Sequence, residues 1–479
     1  MPEMATMRDL LALLPQAQGV GDSSVMVSRI HNDSRSVQQG DLFVALRGPN
    51  FDGAVFLSDA RARGAVAAMC DDARAAELLQ SAGLSGLVVS DCRRALVELA
   101  TRWRGRFALP VIAVTGSNGK TTVTQMLASI ARAAEPEGWL ATAGNFNNDI
   151  GVPLSVLRLR PQHRLAVFEL GMNHVGEIAT LASVAQPTVA LINNAQREHL
   201  EFMGSVRQVA QENGQVITAL PTDGVAVWPA QDAHASVWAA LAGTRRASRF
   251  AVGRPESVEA DVVLVPNDSR DNDMQGQCRA TLHSTQGVLE LTLGVSGQHN
   301  LHNAAAAAAC ALAAGVSLPA VQRGLQNFMP VAGRSQVLRR AVQGRALTLV
   351  DDSYNANPDS VRAAIGLLAT LPAPRMLVLG DMGEVGDQGP QFHAEVLQAA
   401  VDTGIEHILV TGVAFNQVAS KFVVVQAYAT GDTLQLDVLG RLPDISSVLI
   451  KGSRFMRMER VVQVVLANST PMEETRPCC

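Results

Sequence analysis

A short segment with a glycine at each end follows an apolar run and has the residue types that bind nucleotide phosphates. Residues 111–115 predict a buried strand, residues 116–119 a turn, and residues 123–132 an amphipathic helix. Such a turn directs backbone N–H groups and a helix N-terminus at one point, which favours an anion. Lys120 would add positive charge for the terminal phosphates of a nucleotide, and the Thr121 hydroxyl would contact Mg²⁺. The predicted nucleotide-binding residues here, which become ATP-binding residues under the family resemblance given below, are Gly116, Ser117, Asn118, Gly119, Lys120, Thr121 and Thr122.

This phosphate loop departs from the commonest pattern, G-x-x-x-x-G-K-[ST], because Val114 stands where that pattern has its first glycine. No guanine-reading N-K-x-D follows, and no apolar strand of this region ends in an aspartate. The run 165–168 ends instead in Glu169. Glu169 is either a ligand of Mg²⁺, which takes one or two carboxylates, or a solvated acid at a strand end. The pattern disfavours an ordinary GTPase or kinase.

Composition and charge exclude several classes of protein. The chain has 479 residues, 47% hydrophobic and 17% charged, with a net charge of −5. It is globular, and its length predicts about three domains. The charge gives no sign of a nucleic-acid or membrane partner, and no apolar run is long enough to span a bilayer. The N-terminus has early acids and no signal-peptide pattern, so we expect a cytoplasmic protein, and we expect a monomer.

The six cysteines do not form a metal or redox motif, because none belongs to a C-x-x-C pair. The first four are expected to be buried free thiols. The last two, Cys478 and Cys479, end a polar tail over 468–479 that we expect to be disordered. Lipidation of that tail is open, but no recognised anchor pattern fits.

Alternating strand-like and helical runs predict an α/β protein with mostly parallel sheets. We expect a small N-terminal α/β domain at 1–107, a central ATPase-like domain at 108–330, and a Rossmann-like, doubly wound domain at 331–467. Within the central domain, 257–295 alternates polar and apolar residues and predicts an antiparallel meander. A cleft between the last two domains is the expected place for a site with several substrates.

Four further polar clusters stand at predicted strand ends or helix starts. They are residues 144–153, 298–303, 351–358 and 451–454. Asn300 and Asn303 lie one helical turn apart, so they could contact a base edge or cap the following helix. The acids and amides that follow the strand ending at Asp351 are costly to bury unless they bind something. The Lys-Gly-Ser-Arg turn suits capture of a carboxylate or phosphate.

Seven motifs occur in an order that resembles the Mur ligases. They are T-G-S-N-G-K-T-T, G-N-x-N-N-x-I-G-V-P, E-L-G-x-x-x-x-G-E-I, H-N-x-x-N-A, D-D-S-Y-N-A-N-P, G-D-M-x-E-x-G and K-G-S-R. Residues 33–48 resemble the family's uridine-nucleotide domain. Residues 351–358 are similar to the branch that joins D-alanyl-D-alanine to a UDP-linked muramoyl tripeptide, because the tripeptide-forming branch resembles D-Y-A-H-T-P there.

The resemblance implies a peptide ligase of cell-wall precursor synthesis that uses ATP and Mg²⁺ and proceeds through an acyl phosphate. It implies catalytic roles for Lys120, Glu169 and His199, and Mg²⁺ contacts from Thr121, Glu169 and His199. It implies further ATP contacts from Asn300, Asn303, Arg334 and Asp351. The UDP-substrate contacts would be Ser34, Arg35, Asn147 and Asn148, and the peptide contacts Asn355, Asn357, Lys451, Ser453 and Arg454. ATP contacts from two domains predict that the enzyme closes around its ligands.

One departure from the family stands at position 213. The family has a carbamylated lysine about fourteen residues after the position of His199, and this chain has Asn213 there. Either Asn213 or Glu212 supplies an oxygen to a second Mg²⁺, or that ion is held differently. Two alternatives stay open: a related amide ligase such as a folylpolyglutamate synthase, and a nucleotide-binding homologue without turnover. As the third residue of the tripeptide we expect meso-diaminopimelate rather than lysine.

Overall fold

The computed structural model describes residues 3–267 and 277–472, which fold into three α/β units with one main sheet each. The predicted three-domain α/β architecture is confirmed. Cys478 and Cys479 lie outside the described residues. Cys70, Cys92 and Cys310 are buried free thiols, as expected, and Cys278 is buried as well. Among the helices of the described ranges, none combines the length and apolar character needed to cross a membrane.

The first unit is a small α/β fold. Its strands are β1 (Ala5–Thr6), β2 (Gln18–Val20), β3 (Met26–Val27), β4 (Arg29–His31), β5 (Asp41–Val44), β6 (Arg47–Gly48), β7 (Phe51–Asp52), β8 (Ala67–Cys70) and β9 (Ser85–Val88). Its helices are α1 (Met7–Leu13), α2 (Leu57–Ala62), α3 (Ala75–Ser81) and α4 (Cys92–Arg104). The main sheet has the order β2-β9-β8-β5-β4 and is parallel except at β2.

The middle unit holds a nine-stranded sheet. Its strands are β10 (Val111–Thr115), β11 (Trp139–Ala141), β12 (Leu165–Glu169), β13 (Val189–Ile192), β14 (Val225–Pro229), β15 (Arg246–Val252), β16 (Val262–Pro266), β17 (Cys278–Ser284) and β18 (Gly287–Leu293). Its helices are α5 (Lys120–Ala134), α6 (Gly151–Val156), α7 (Glu177–Ala185), α8 (Leu200–Met203), α9 (Val206–Thr218), α10 (Ala235–Ala242), α11 (Gln298–Ala313) and α12 (Leu318–Gln326). The order is β11-β12-β10-β13-β14-β15-β16-β17-β18. The strands are parallel from β11 to β16, and the pairs β16–β17 and β17–β18 are antiparallel, as the predicted meander requires.

The central strand β10 is buried on both faces of this sheet. Val111 and Ala113 point into one core, and Ile112 and Val114 point into the other, because side chains alternate along a strand. The second core is closed by α5, α11 and α12. In α11, the fully buried alanines at 304–309 let the helix lie close to its neighbours. The carboxyl end of β10 is thereby held rigidly at the start of the phosphate loop.

The third unit is doubly wound. Its strands are β19 (Gln336–Val342), β20 (Arg345–Asp352), β21 (Arg375–Gly380), β22 (His407–Thr411), β23 (Val425–Tyr428), β24 (Ser447–Lys451) and β25 (Thr470–Pro471). Its helices are α13 (Pro358–Thr370), α14 (Gly389–Asp402), α15 (Val413–Ala419), α16 (Gly431–Arg441) and α17 (Glu459–Ala467). The order is β23-β22-β21-β24-β20-β19-β25, parallel from β23 to β20. Part of the expected tail is ordered, because β25, within 468–479, pairs with β19, whereas residues 473–479 lie outside the described residues.

The first and middle units share one apolar core, whereas the third unit has cores of its own. At the shared boundary the Trp103 indole donates to the Leu159 carbonyl at 3.2 Å. The Arg104 guanidinium donates to the carbonyls of Ala185 and Gln186, both at 3.0 Å. The third unit instead meets the middle unit across a cleft, mainly through polar contacts.

Candidate active site

A cavity of about 1110 Å³ lies between the middle and third units, where the sequence predicts a cleft. Its floor is the phosphate loop and the carboxyl end of β12, and its opposite wall comes from the loops after β20 and β21. Its side is formed by the start of α11. Strand ends and helix starts of two α/β units therefore converge on one space, as expected for this fold class.

The phosphate loop has the predicted shape, and α5 begins at its lysine. Gly119 caps the helix with φ +82°, and a Cβ atom there would lie 2.2 Å from Asn303 Oδ1. Only glycine fits this position, and α5 consequently begins at Lys120 rather than at the predicted residue 123. The part of the loop that lines the cavity is Ser117, Asn118, Gly119, Lys120, Thr121 and Thr122.

The Lys120 ammonium lies folded over the loop. Its Nζ donates to the carbonyls of Gly116 at 2.6 Å and Ser117 at 3.1 Å, and it pairs with Glu198 Oε1 at 2.6 Å. The side chain is 14% exposed, so its charge faces the cavity with little water around it. Glu198 Oε2 is buried without a hydrogen-bond partner among the described residues.

Glu169 is a buried carboxylate, not a solvated acid at a strand end. It is 2% exposed at the end of β12. Its Oε1 accepts from the Thr121 hydroxyl at 3.1 Å and from Asn147 Nδ2 at 2.8 Å. Its Oε2 is buried and has no partner among the described residues. A buried carboxylate with a free oxygen beside a threonine hydroxyl is suited to a hard cation such as Mg²⁺.

His199 lies between two carboxylates. Its Nε2 is 3.4 Å from Glu198 Oε1, and its Nδ1 is 2.6 Å from Glu384 Oε2 of the third unit. Burial opposes the charged imidazole, but the interactions with the Glu198 and Glu384 carboxylates outweigh it and raise the pKa of His199 to about 9. An imidazolium has no lone pair for a metal, so this arrangement differs from the metal-ligand role that the resemblance implies.

Asn300 and Asn303 lie inside a helix and line the cavity. Helix α11 begins at Gln298 after Gly297, so neither asparagine caps it. Asn303 Oδ1 accepts from Asn193 at 2.9 Å, and Asn303 Nδ2 donates to Asn300 Oδ1 at 3.3 Å. These bonds fix both amides beside the loop, on the side of the cavity formed by α11.

Of the two adjacent acids at the end of β20, Asp352 lines the cavity and Asp351 does not. The Asp351 carboxylate is turned into the unit, where it accepts from the Gly333 N–H at 2.9 Å and the Ser353 hydroxyl at 2.6 Å. Arg334 does line the cavity, and its guanidinium stacks on Tyr354 at 4.2 Å from the ring centre. The predicted ATP contact from Asp351 is therefore not supported by its position.

The predicted peptide residues divide into two groups. Asn355, Asn357 and Lys451 line the cavity, whereas Ser453 and Arg454 do not. Lys451 Nζ pairs with Asp352 Oδ2 at 2.6 Å and donates to the Asn355 carbonyl at 2.8 Å. The Ser453 hydroxyl donates to the Ala356 carbonyl at 3.1 Å, and exposed Arg454 pairs with Glu459 at 3.2 Å.

Two of the predicted UDP-substrate residues line the cavity, and two lie in the first unit away from it. Asn147 and Asn148 are in the cavity wall, and Asn148 Oδ1 also accepts from the Gly151 N–H at the start of α6 at 2.8 Å. Ser34 and Arg35 belong to a short helical turn outside the cavity wall, where exposed Arg35 pairs with Asp33 at 2.8 Å.

Neither Asn213 nor Glu212 reaches the cavity. Asn213 is fully buried behind the loop, and its Oδ1 accepts from the Thr115 hydroxyl at 2.6 Å and the Gly116 N–H at 3.0 Å. Glu212 Oε1 accepts from the Ile178 N–H at 2.9 Å. The positions of these two side chains favour the alternative in which a second Mg²⁺ is held by other residues.

Sequence reasoning missed several residues of the wall, among them Gln196, Arg197, Glu198, Asp232, His299, Asp359 and Glu384. A compositional signal was available only for two residues that were predicted, Lys120 and Lys451. The 39 basic residues include only three lysines, at 120, 421 and 451, and two of them line the cavity. Almost all other basic residues of this chain are arginines. A lysine in the cavity wall therefore indicates a position that needs the compact charge of an ammonium group.

Comparisons with known families decide the identity of this architecture. The Mur ligase middle domain matches residues 114–311, the glutamate ligase domain of Mur ligases matches residues 333–454, and the catalytic domain of the Mur ligase family matches residues 27–104. The chain belongs to the Mur ligase family. The matched segments include the loop, the start of α11 and the cavity wall of the third unit.

Individual Mur ligases are similar over nearly the whole chain. A UDP-N-acetylmuramoyl-tripeptide–D-alanyl-D-alanine ligase of Escherichia coli is 36% identical over 450 residues, covering 94% of this chain and 96% of that protein. A crystal structure of MurF from Acinetobacter baumannii has a TM-score of 0.86 at 32% identity, covering 97% and 98% of the two chains. MurF ligase from Thermotoga maritima, solved with ADP, has a TM-score of 0.75 at 25% identity, covering 92% and 97%.

Proposed function

We propose that this Mur ligase joins D-alanyl-D-alanine to a UDP-N-acetylmuramoyl tripeptide at the expense of ATP, the reaction of class EC 6.3.2.10. One observation carries the proposal. The phosphate loop faces the 352–357 segment of the third unit across a single cavity, so a nucleotide and a peptide substrate can meet there. Relatives named for this reaction match nearly the full length of the chain. We place the reaction, which consumes ATP, in the cytoplasm.

The chemistry follows from the need to activate a carboxylate. A terminal carboxylate oxygen of the tripeptide attacks the γ-phosphorus of ATP, the bond to the bridging oxygen breaks, and ADP leaves. The amine of D-alanyl-D-alanine then attacks the carbonyl carbon of the acyl phosphate and loses a proton, and the C–O bond to phosphate breaks. The products are an amide, ADP and phosphate. Catalysis consists mainly of aligning anions and neutralising their charge.

The residues on the middle-unit side would serve the nucleotide. Lys120 and the loop N–H groups would hold the terminal phosphates, with the ammonium leaving its internal partners for a phosphate oxygen. Asn300 and Asn303 would contact the adenine edge, because their amides are held on the neighbouring wall. The MurF of Thermotoga maritima was solved in complex with ADP, which supports nucleotide binding by this chain.

The donor set also fits Mg²⁺. Glu169 and Glu198 each have one buried oxygen without a partner among the described residues, and Thr121 adds a hydroxyl. These residues would hold the ion, which supplies charge neutralisation between the phosphates when bound. His199 would act by holding Glu198 and Glu384 in place.

The residues on the third-unit side would serve the nucleotide and the peptides. Arg334 and Lys451 bring positive charge to the wall opposite the loop, where the acyl phosphate would form. Asn355 and Asn357 would orient the peptide substrates through their amides. Ser453 supports this wall from behind rather than touching a substrate, because it bonds to the Ala356 carbonyl.

The test is phosphate release by the purified full chain with ATP, Mg²⁺, the UDP-tripeptide and D-alanyl-D-alanine. We expect release only when both peptide substrates are present, and a pentapeptide product by mass spectrometry. Tripeptides ending in meso-diaminopimelate and in lysine are compared, and we expect the first to be preferred. Release with a folate substrate instead, or no release under any Mg²⁺ condition, would favour one of the two alternative functions.

A further inference from the structure

Asn213 is a fully buried amide that contacts the phosphate loop from behind. It lies in α9, 97 positions along the chain from the first glycine of the loop, and it does not line the cavity. Its side chain touches two consecutive loop residues, with Oδ1 2.6 Å from the Thr115 hydroxyl and 3.0 Å from the Gly116 nitrogen. Both contacts lie at the point where β10 turns into the loop.

The contact to the loop backbone shows which atom of the Asn213 amide faces the loop. A backbone N–H can only donate, so the atom that faces Gly116 must be the oxygen. The nitrogen of the same amide, Nδ2, has no hydrogen-bond partner among the described residues. A buried unpaired donor is destabilising. The side chain therefore serves the fold through its acceptor alone.

Gly116 connects this contact to the catalytic lysine. The Gly116 carbonyl accepts from Lys120 Nζ at 2.6 Å, and its φ of +125° is one that residues with a side chain avoid. A Cβ atom at Gly116 would lie 2.9 Å from the Asn193 nitrogen, so the Gly116 backbone is packed closely against the chain after β13 and cannot move towards it. Gly116, whose carbonyl accepts from Lys120, is thus held between α9 and the chain after β13.

We propose that Asn213 is a positioning residue for nucleotide binding. It sets the first peptide of the phosphate loop, and through Gly116 it sets the starting position of the Lys120 ammonium. The inference rests on the proposed function only in assigning the phosphates to this loop. It gives position 213 a role that needs a hydrogen-bond acceptor and no metal.

The test compares Asn213→Leu, which keeps the volume and removes the acceptor, with Gln215→Leu on the same helix. Within the described ranges the Gln215 side chain bonds only to the Gln211 carbonyl of its own helix, at 3.3 Å, so its variant is a matched control. Binding of ADP with Mg²⁺ is measured by calorimetry, and kcat and KM are measured for each substrate. We expect Asn213→Leu to weaken ADP binding about tenfold and to lower kcat, with the KM for D-alanyl-D-alanine unchanged.

ADP affinity within twofold of wild type would overturn the proposal, and so would an equal loss of affinity for all substrates, which indicates a general structural role. If the leucine variant does not fold, Asn213→Ala provides the same comparison, because it removes the acceptor without adding bulk. A wild-type chain that binds ADP but releases no phosphate would refute the proposed function, and the ADP measurement would still test Asn213.

Discussion

Arg197 is the main ionic connection between the middle and third units, and replacing it should loosen the closed cavity. Its guanidinium donates to Asp359 Oδ1 at 2.6 Å and to Glu395 Oε2 at 2.8 Å, and it stacks over Phe392 at 5.1 Å. Hydrogen bonds, above all to Asp359, raise the pKa of Arg197 above its usual value. The arginine is therefore charged at every physiological pH, and Arg197→Met removes both pairs.

The free-energy change caused by Arg197→Met depends on which hydrogen bonds the Asp359 and Glu395 carboxylates retain in the variant. A hydrogen bond to a charged group contributes roughly 1.5–3 kcal/mol, and less where water competes. Glu395 keeps its pair with Arg362 at 2.7 Å, and Asp359 keeps the backbone N–H of residue 197 at 2.9 Å. We therefore expect the closed form to lose stabilisation near the lower end of this range, about 2 kcal/mol. A loss of that size shifts the equilibrium between the closed and open forms roughly thirtyfold towards the open form.

Two measurements test this value. Small-angle scattering should give a larger radius of gyration for Arg197→Met than for wild type, and kcat/KM for D-alanyl-D-alanine should fall. Arg362→Met is the matched control, because it removes a pair with Glu395 inside the third unit and leaves the contact between units intact. If Arg197→Met has the same radius of gyration and the same kcat/KM as the control variant, Arg197 does not hold the cavity closed.

Three further predictions concern the catalytic groups and the motion of the enzyme. Lys120→Ala should abolish phosphate release, because it removes the charge that neutralises the terminal phosphates; full activity in the release assay would contradict that role. The pKa of His199 is raised to about 9, so its contribution to stability is complete below about pH 6.5 and is lost as pH rises through about 9. In metal-free buffer, the melting temperature of wild type should therefore fall between pH 7 and 10 more than that of His199→Gln, and parallel curves would refute it. Scattering with and without ATP and both peptide substrates should show a more compact bound enzyme, and identical dimensions would argue against closure.

Structural features that depend on residues close together in the sequence could be predicted from the sequence. The predicted strand 111–115 coincides with β10, and the apolar run 165–168 that ends in Glu169 coincides with β12, because buried parallel strands are continuous apolar runs. The phosphate loop was equally readable, since its glycines, lysine and threonine lie within six positions. Family motifs spread along the chain then indicated the reaction.

Only the tertiary structure decided which polar groups meet. Asp351 and Asp352 are adjacent, and strand alternation sends one into the third unit and the other to the cavity, a choice set by how β20 packs. Asn213 reaches Gly116 across 97 positions, and Arg197 reaches Asp359 across 162. Local patterns carry no information about such contacts, because they depend on how separate helices and strands pack. The sequence by itself thus determined the loop and the family chemistry, and packing determined which side chains hold that loop and close the site.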